Sequence, residues 1–557
     1  MASLTEMLYA PTVHAPTVTR DGQRAAWHAT SGGRPAIHVG TPGSGDRRSL
    51  RSGVLTRHQP HVFCWGLDGK SIWIATRDRL LRVTLTDEIA YAVEIGRQVR
   101  PIGDTDRGLV YGDWSRRDRN SMNLQLLDPK TGDWQQLTTH SQGHQGVAVH
   151  PAGHIAYLPR GPGRGNPTAE ALPTTVLLPD GDRIEFDGRF RPVAWHGNDL
   201  LLSDDNRGDN VGSWNGTEIT WIGEGQPLGF EADGTVIALR DGTPVRLPGG
   251  DVLEIIDRPI RTGAVRNGRG LFITRGNDDD PPGVIGWDGT TPVPIETPRY
   301  AFPPADFRSP EVRTYEDSAG ENRDVKVLLP DTTPAPTVVH LYGHVPDAGD
   351  FDRKFGRPLR YLREQGYACL LPAHGGGWGN SDRRHADYAA VARWAAGQPW
   401  SNGELVAIGH SSGGYDVLMQ AVRHPEPWTA GVAWSAIVDR RAFYEQFERD
   451  RDWIEELDEG GSDRLEEFSP CNHVDRIELP LLLIQGAHED FQPETRAFVD
   501  RVRSQGVEIE YVEPARLGHW TTDLGIHVHV WRTIEIFLTT TLASRWDRVA
   551  LPSARPE

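Results

Sequence analysis

The chain has 557 residues, enough for about two to four domains of ordinary size. Hydrophobic residues make up 37% and charged residues 24%, with 61 glycines and 41 prolines, a balance that excludes disordered, collagen-like and coiled-coil chains. The formal charge of -18, with no run of five basic residues to offset it locally, argues against nucleic acid and anionic membrane as partners.

Three cysteines, Cys64, Cys369 and Cys471, are too few for a disulfide scaffold and form no Cys-x-x-Cys spacing. The N-terminus MASLTEMLYAPTVH lacks a basic region followed by an apolar core, and no stretch approaches 18 apolar residues. The expected setting is the reducing cytoplasm, without membrane insertion or a metal or organic cofactor.

Over the first 300 residues the hydrophobic pattern consists of short alternating or β-branched runs between Gly, Asp and Asn turns. Predicted strands include 71–75, 80–85, 123–127, 154–158, 235–239 and 270–274. Several follow a recurring turn whose glycines are Gly22, Gly69, Gly108, Gly153, Gly197, Gly234 and Gly268, spaced by 34 to 47 residues. A period near 42 residues with about four short strands per unit is that of a β-propeller blade, and seven markers predict seven blades. The main alternative for such a strand-rich region is a pair of β-sandwiches.

The Pro-rich stretch 291–310 reads as a linker, placing a propeller over 15–300 and a second domain over 301–550. From residue 312 a pair of strands is followed by apolar strands at 337–342, 368–371, 405–408, 431–434, 481–484 and 507–511. Helical patterns at 355–365, 385–396, 414–423, 494–503 and 529–542 separate or follow them, so the domain is α/β with a largely parallel, two-sided sheet.

The sharpest motif is Gly409-His410-Ser411-Ser412-Gly413, set between a buried strand and a helix. A nucleophile elbow needs small residues two before and two after the serine, because the strand must turn sharply while leaving Oγ accessible. Ser411 is therefore the candidate nucleophile, and the backbone N–H of Ser412 a candidate oxyanion donor. An acid and a histidine should follow in that order. Two carboxylates, Glu489 and Asp490, lie in the loop after strand 481–484, and His519 follows strand 507–511. His519 can take the serine proton and return it to the leaving group while a carboxylate holds its tautomer. His527 and His529 complete no metal-ligand set with it, and the Gly-rich run 373–380 lacks the Lys-Ser/Thr of a phosphate cradle.

The second half resembles the catalytic domain of the prolyl oligopeptidase family of serine peptidases, which includes dipeptidyl peptidases and acylaminoacyl peptidases. The resemblance rests on GHSSGGY at 409–415, on Phe468-Ser469-Pro470 through Val474-Asp475-Arg476-Ile477 to Pro480-LLLIQG, on Pro493, and on Gly518-His519. It implies an N-terminal propeller and a C-terminal α/β-hydrolase domain. It also implies that the acid sits three residues after Gly486 and four before Pro493, on Glu489 where relatives usually have Asp, with Asp490 as the alternative. By the same resemblance Tyr342, in Tyr342-Gly343-His344, matches a position where some members place an oxyanion-donating phenol. His344, Tyr415, Trp434, Phe443 and Tyr444 fall near segments lining the family's specificity pocket. Ser412 stands where relatives often have Tyr.

The expected function is a serine hydrolase that cleaves short peptides through an acyl-enzyme, with the propeller limiting substrate size. An esterase, amidase or acyltransferase for a small non-peptide substrate would use the same triad. A third possibility is an inactive propeller interaction protein. The expected partners are short peptides or small amides and esters, with a second copy of the chain as a further candidate.

Overall fold

The computed structural model describes all residues except 1–2, 10, 32, 51–62, 77–78, 96–98, 114–122, 141–142, 160–170, 205–209, 256–257, 277–280, 302–307, 342–355, 377–380, 447–463, 488, 490, 520, 522 and 544–557. The chain divides into compact units between Pro303 and Pro304, inside the Pro-rich stretch.

Among its described residues the first unit is all β. Seven antiparallel meanders follow one another, beginning with strands Val13–Val18, Phe63–Trp65, Val99–Thr105, His144–Val149, Phe190–His196, Gln226–Phe230 and Ile260–Arg266. Five meanders are separate four-stranded sheets. The last two share one seven-stranded sheet, because Gly229 pairs in parallel with Val265 across their first strands. The separate sheets are thus fewer than the seven expected from the repeat, and the fold class is a β-propeller.

All seven marker glycines have positive φ and lie at the reversal between the first and second strands of successive meanders. That conformation is nearly free for Gly and strained for residues with a Cβ, so the periodic signal is a periodic backbone requirement. Each meander's first strand lies beside the next one's, and Val13–Val18 lies beside Ile260–Arg266, which closes the ring. The closure has an apolar core, in which Val13, Trp27 and Ala29 pack with Leu271, Ile273 and Ile295. It also has a polar clasp: Trp27 Nε1 donates to Glu296 Oε2 at 3.1 Å, and Arg47 pairs with Glu296 at 2.8 Å.

The second unit is built on one sheet. Its strands are β1 (Glu311–Glu316), β2 (Asn322–Leu328), β3 (Ala335–Leu341), β4 (Ala368–Pro372), β5 (Ser401–His410), β6 (Ala430–Trp434), β7 (Leu481–Ile484) and β8 (Ile509–Val512). Their spatial order is β1-β2-β4-β3-β5-β6-β7-β8, antiparallel through the β2–β4 pair and parallel from β4 onward. Alternation along each strand sends neighbours to opposite faces. Val339, Ala407 and Leu483 face one core, with helices α3 (Ser381–Ala396), α4 (Ser412–Arg423) and α6 (Gln492–Ser504). Val338, Val406, Ile408 and Leu482 face the other, with α2 (Arg357–Glu364) and α7 (Leu524–Ala543). This is the α/β-hydrolase architecture.

The first residues of the chain, which the sequence left outside either domain, join this second unit. Helix α1 (Leu4–Leu8) would not hold as an isolated five-residue helix. Ser3 and Glu6 form a capping box at its start, and Leu4, Met7 and Leu8 pack into the core face shared by α2 and α7. Among the described residues no helix is long and apolar enough to cross a membrane.

Candidate active site

Ser411 is the one residue between β5 and α4, and it carries φ of +59°. Its N–H donates to the Trp434 carbonyl at the end of β6 (2.8 Å), and its own carbonyl accepts from Tyr415 N–H in the first turn of α4 (2.9 Å). The flanking glycines are required sterically. A Cβ on Gly409 would overlap the Gly413 carbonyl, and one on Gly414 would stand 2.8 Å from the Trp434 oxygen. The strand can therefore turn into the helix only with these small residues in place, which leaves Ser411 and Ser412 half-buried at the tip.

The acid and histidine positions occupy loops after β7 and β8, on the same C-terminal edge of the parallel sheet. Glu489 N–H donates to the Gly486 carbonyl at 3.0 Å, turning the loop back on itself. A Cβ on Gly486 would overlap the Leu517 carbonyl, so glycine allows this loop to lie against the one that carries His519. His519 Nδ1 and Glu489 Oε2 are 3.2 Å apart. Since an ionised carboxylate only accepts, the imidazole proton belongs on Nδ1 in this pair. The Glu489 side chain is 2% exposed and that of His519 52%, so the carboxylate is sheltered while the ring reaches solvent. Asp490, the alternative acid, lies outside the described residues, as do Tyr342 and His344.

Two residues whose contacts no motif indicates hold these loops. Ser435, directly after β6, donates its hydroxyl to Glu489 Oε1. His410, the residue before the nucleophile, donates from Nε2 to the His519 carbonyl at 2.8 Å, with its ring 4.7 Å from that of Trp434 and 5.2 Å from that of His519. The available signal for both was position, since each is a polar residue at the C-terminal end of a buried parallel strand.

A buried polar cluster anchors α4 from behind. Asp416, on that helix, accepts from Arg384 Nε at 3.1 Å and His385 Nε2 at 3.0 Å, and all three residues are almost wholly buried. Burial works to raise the Asp416 carboxyl, but Arg384 and His385 outweigh it and hold it below the ordinary range. Burial also lowers His385 to about 4, against the opposing pull of Asp416. Asp387 accepts from Gly375 N–H (2.7 Å), Ser318 N–H (3.0 Å) and Arg383 Nε (3.2 Å), which fixes the start of the Gly-rich loop to α3. These residues brace the backbone around α3 and α4.

Two of the pocket candidates are enclosed by packing. Tyr415 is buried, with its hydroxyl donating to the Phe468 carbonyl at 3.0 Å and its ring beneath Arg440. Trp434 is buried in the core under α7, edge-on to His410 and His527. Large aromatic rings in a sheet of this size are readily absorbed by packing. Phe443, on helix α5 (Arg440–Gln446), is half-buried, with its ring 5.1 Å from that of Phe491 just beyond the acid loop. Tyr444 follows it on the same helix. Among the described residues no cluster of three or more His, Cys, Asp or Glu could hold a metal ion.

Residues 363–545 match the model of the prolyl oligopeptidase family. Solved structures similar over almost the whole chain include a puromycin-hydrolyzing peptidase from Mycobacterium tuberculosis, at 18% identity and TM-score 0.66, covering 97% of this chain and 96% of the other. A prolyl endopeptidase structure aligns at 15% identity and TM-score 0.66, covering 97% and 91%. The Pyrococcus horikoshii acylaminoacyl peptidase aligns at 14% identity and TM-score 0.58, covering 96% of both. At these identities the structures speak for the fold, while the family match falls on the unit that carries Ser411, Glu489 and His519. Residues 363–545, within the second unit, thus match the prolyl oligopeptidase family of serine peptidases, and the protein is a hydrolase.

Proposed function

We propose that the protein cleaves short peptides by acyl transfer, with Ser411 as nucleophile, His519 as general base and then general acid, and Glu489 as the residue that orients His519. The observation that carries this reading is the Glu489–His519 hydrogen bond on the sheet edge that also presents Ser411 on a strained elbow. With Nδ1 engaged by the carboxylate, Nε2 takes the Ser411 proton as Oγ attacks the carbonyl carbon. The proton then passes to the leaving amine, and water attacking the acyl-enzyme repeats the sequence. The Ser412 N–H, at the start of α4, is the oxyanion donor we assign, with Tyr342 as its partner. Phe443, Tyr444 and His344 are further candidates for the substrate pocket.

The propeller, in this reading, restricts the substrate to short chains. A small non-peptide substrate is the second reading, favoured by the fold shared with a protein named for hydrolysing puromycin. Three free cysteines accord with work in the cytoplasm.

Fluorophosphonate labelling followed by a matched library of peptides, amides and esters tests the proposal. Labelling at Ser411 with turnover of short peptides is expected. Labelling with turnover of only non-peptide esters or amides would replace peptidase by the second reading, and absence of labelling would reject the hydrolytic mechanism.

A further inference from the structure

We infer that Ser435 is a positioning residue of the catalytic array, a hydroxyl that fixes the Glu489 carboxylate so that its other oxygen meets His519. The inference rests on the assignment of Glu489 as the acid, and it adds to the triad a group that no motif contains.

The first support is hydrogen-bond geometry. A buried carboxylate that must stay charged needs donors on its oxygens, since desolvation otherwise disfavours the ion. Glu489 Oε2 faces His519 Nδ1 at 3.2 Å, and Oε1 accepts from Ser435 Oγ. The two bonds fall on different oxygens, so together they set the rotation of the carboxylate plane. A glutamate has one more rotatable bond than an aspartate, and a second anchor removes the freedom that bond would add.

The second support is backbone conformation. Ser435 has φ of +52°, unusual for a residue with a side chain. Such a conformation persists where surrounding contacts over-determine it, and it gathers at functional sites. Here the Ser435 N–H donates to the Ile484 carbonyl at the end of β7 at 2.7 Å. The preceding residue, Trp434, supplies the carbonyl that receives Ser411 N–H at 2.8 Å. Two consecutive residues at the tip of β6 therefore tie down the nucleophile's backbone and the acid's side chain. In the second unit, Ser411 and Ser435 are the described non-glycine residues at positive φ, on the tips of adjacent strands.

Replacing Ser435 separates this role from a packing role. Ser435→Ala should lower kcat by roughly 10-fold or more while KM stays within about 2-fold, because the lost bond, one to a charged group, acts on the reacting array. Ser435→Gly removes the same hydroxyl but relaxes the backbone, so it should show the same loss of kcat with a Tm no lower than that of Ser435→Ala. In a Glu489→Gln background, Ser435→Ala should change kcat by less than about 2-fold, since the hydroxyl acts through the carboxylate. Wild-type kcat in Ser435→Gly, or an undiminished loss in the Glu489→Gln background, would overturn the inference. If Glu489→Gln alone kept full activity, the acid assignment would fall and the brace with it, a result distinct from failure of the brace alone.

Discussion

The two units use left-handed backbone conformations for different ends. In the propeller, seven glycines at positive φ recur at the same reversal, Asn267 adopts it beside Gly268 in the last of these, Asp87 and Asp241 adopt it in other tight turns, and Ala15 in the first strand. In the hydrolase unit, Ser411 and Ser435 adopt it at strand tips where the candidate site is assembled. The propeller places strain where glycine nearly abolishes it, so the conformation builds architecture at little cost. The hydrolase places it on side chains that can react or orient, and packing from both sheet faces must hold them there. The cores differ accordingly: the propeller has a series of small apolar clusters, and the hydrolase has two large ones on either side of a single sheet.

The comparison breaks most sharply at the nucleophile. Ser411→Ala should reduce kcat by about 10⁶-fold, by analogy with loss of a serine nucleophile in subtilisin, while thermal unfolding stays close to wild type. Normal turnover would remove function from the strained serine and leave it a turn like those of the propeller. Glu489→Gln should cost about 10⁴-fold in kcat, as loss of the orienting acid does in a protease triad, whereas Asp490→Asn should leave kcat near wild type. Equal, small losses from both variants would remove Glu489 from the array.

Glycine substitutions compare the units through stability. Gly409→Ala forces a Cβ onto the Gly413 carbonyl, so the elbow must open, and a loss of about 3 kcal/mol or more is expected together with loss of activity. Gly234→Ala, at φ of +90° with nothing within 4 Å of the added Cβ, meets only the left-handed penalty of about 1–2 kcal/mol and should leave small-substrate kcat unchanged. Chemical denaturation of the two variants measures the difference. Similar losses would show that steric closure at the elbow is no tighter than at a propeller turn.

Acid should weaken the hydrolase unit gradually. Burial lowers His340 and His385 to about 4, with Asp416 opposing the shift at His385, while in the unfolded chain both return to the ordinary histidine range near 6.5. Between those values the unfolded chain binds more protons than the folded one. Stability is therefore greatest above about pH 6.5 and declines as pH falls toward about 4. Melting curves from pH 7 to pH 4.5 should show this decline, and His385→Gln should flatten it. A flat wild-type profile would mean that neither histidine is held neutral.

Much of the fold could be read from local pattern. Strand 71–75 and strand 481–484 have the limits predicted, because β-branched and apolar runs between turn residues leave little choice. Helix α1 could not be read, since five residues carry no periodic signal and become helical only on the core under α2 and α7. The joined sheet of the last two meanders was equally illegible, because a parallel pairing of Gly229 with Val265 lies between strands 36 residues apart. In the site, GHSSG, the acid loop and Gly-His were visible as motifs. Ser435 was not, and His410, although inside the GHSSG motif, gave no sign of its bond to the His519 carbonyl, since each acts on a residue distant in sequence.

The sequence by itself determined the period of the propeller, the alternation of the hydrolase and the elbow around Ser411. These are local consequences of φ preference, side-chain alternation and small-residue spacing. Only the tertiary structure decided that Glu489 meets His519, that Ser435 meets the other oxygen of the same carboxylate, and that the chain's first helix lies in the hydrolase core. Those outcomes depend on which strand ends become neighbours in the sheet. Distance in the chain says little about that, because loop closure over many residues costs only slightly more than closure over few.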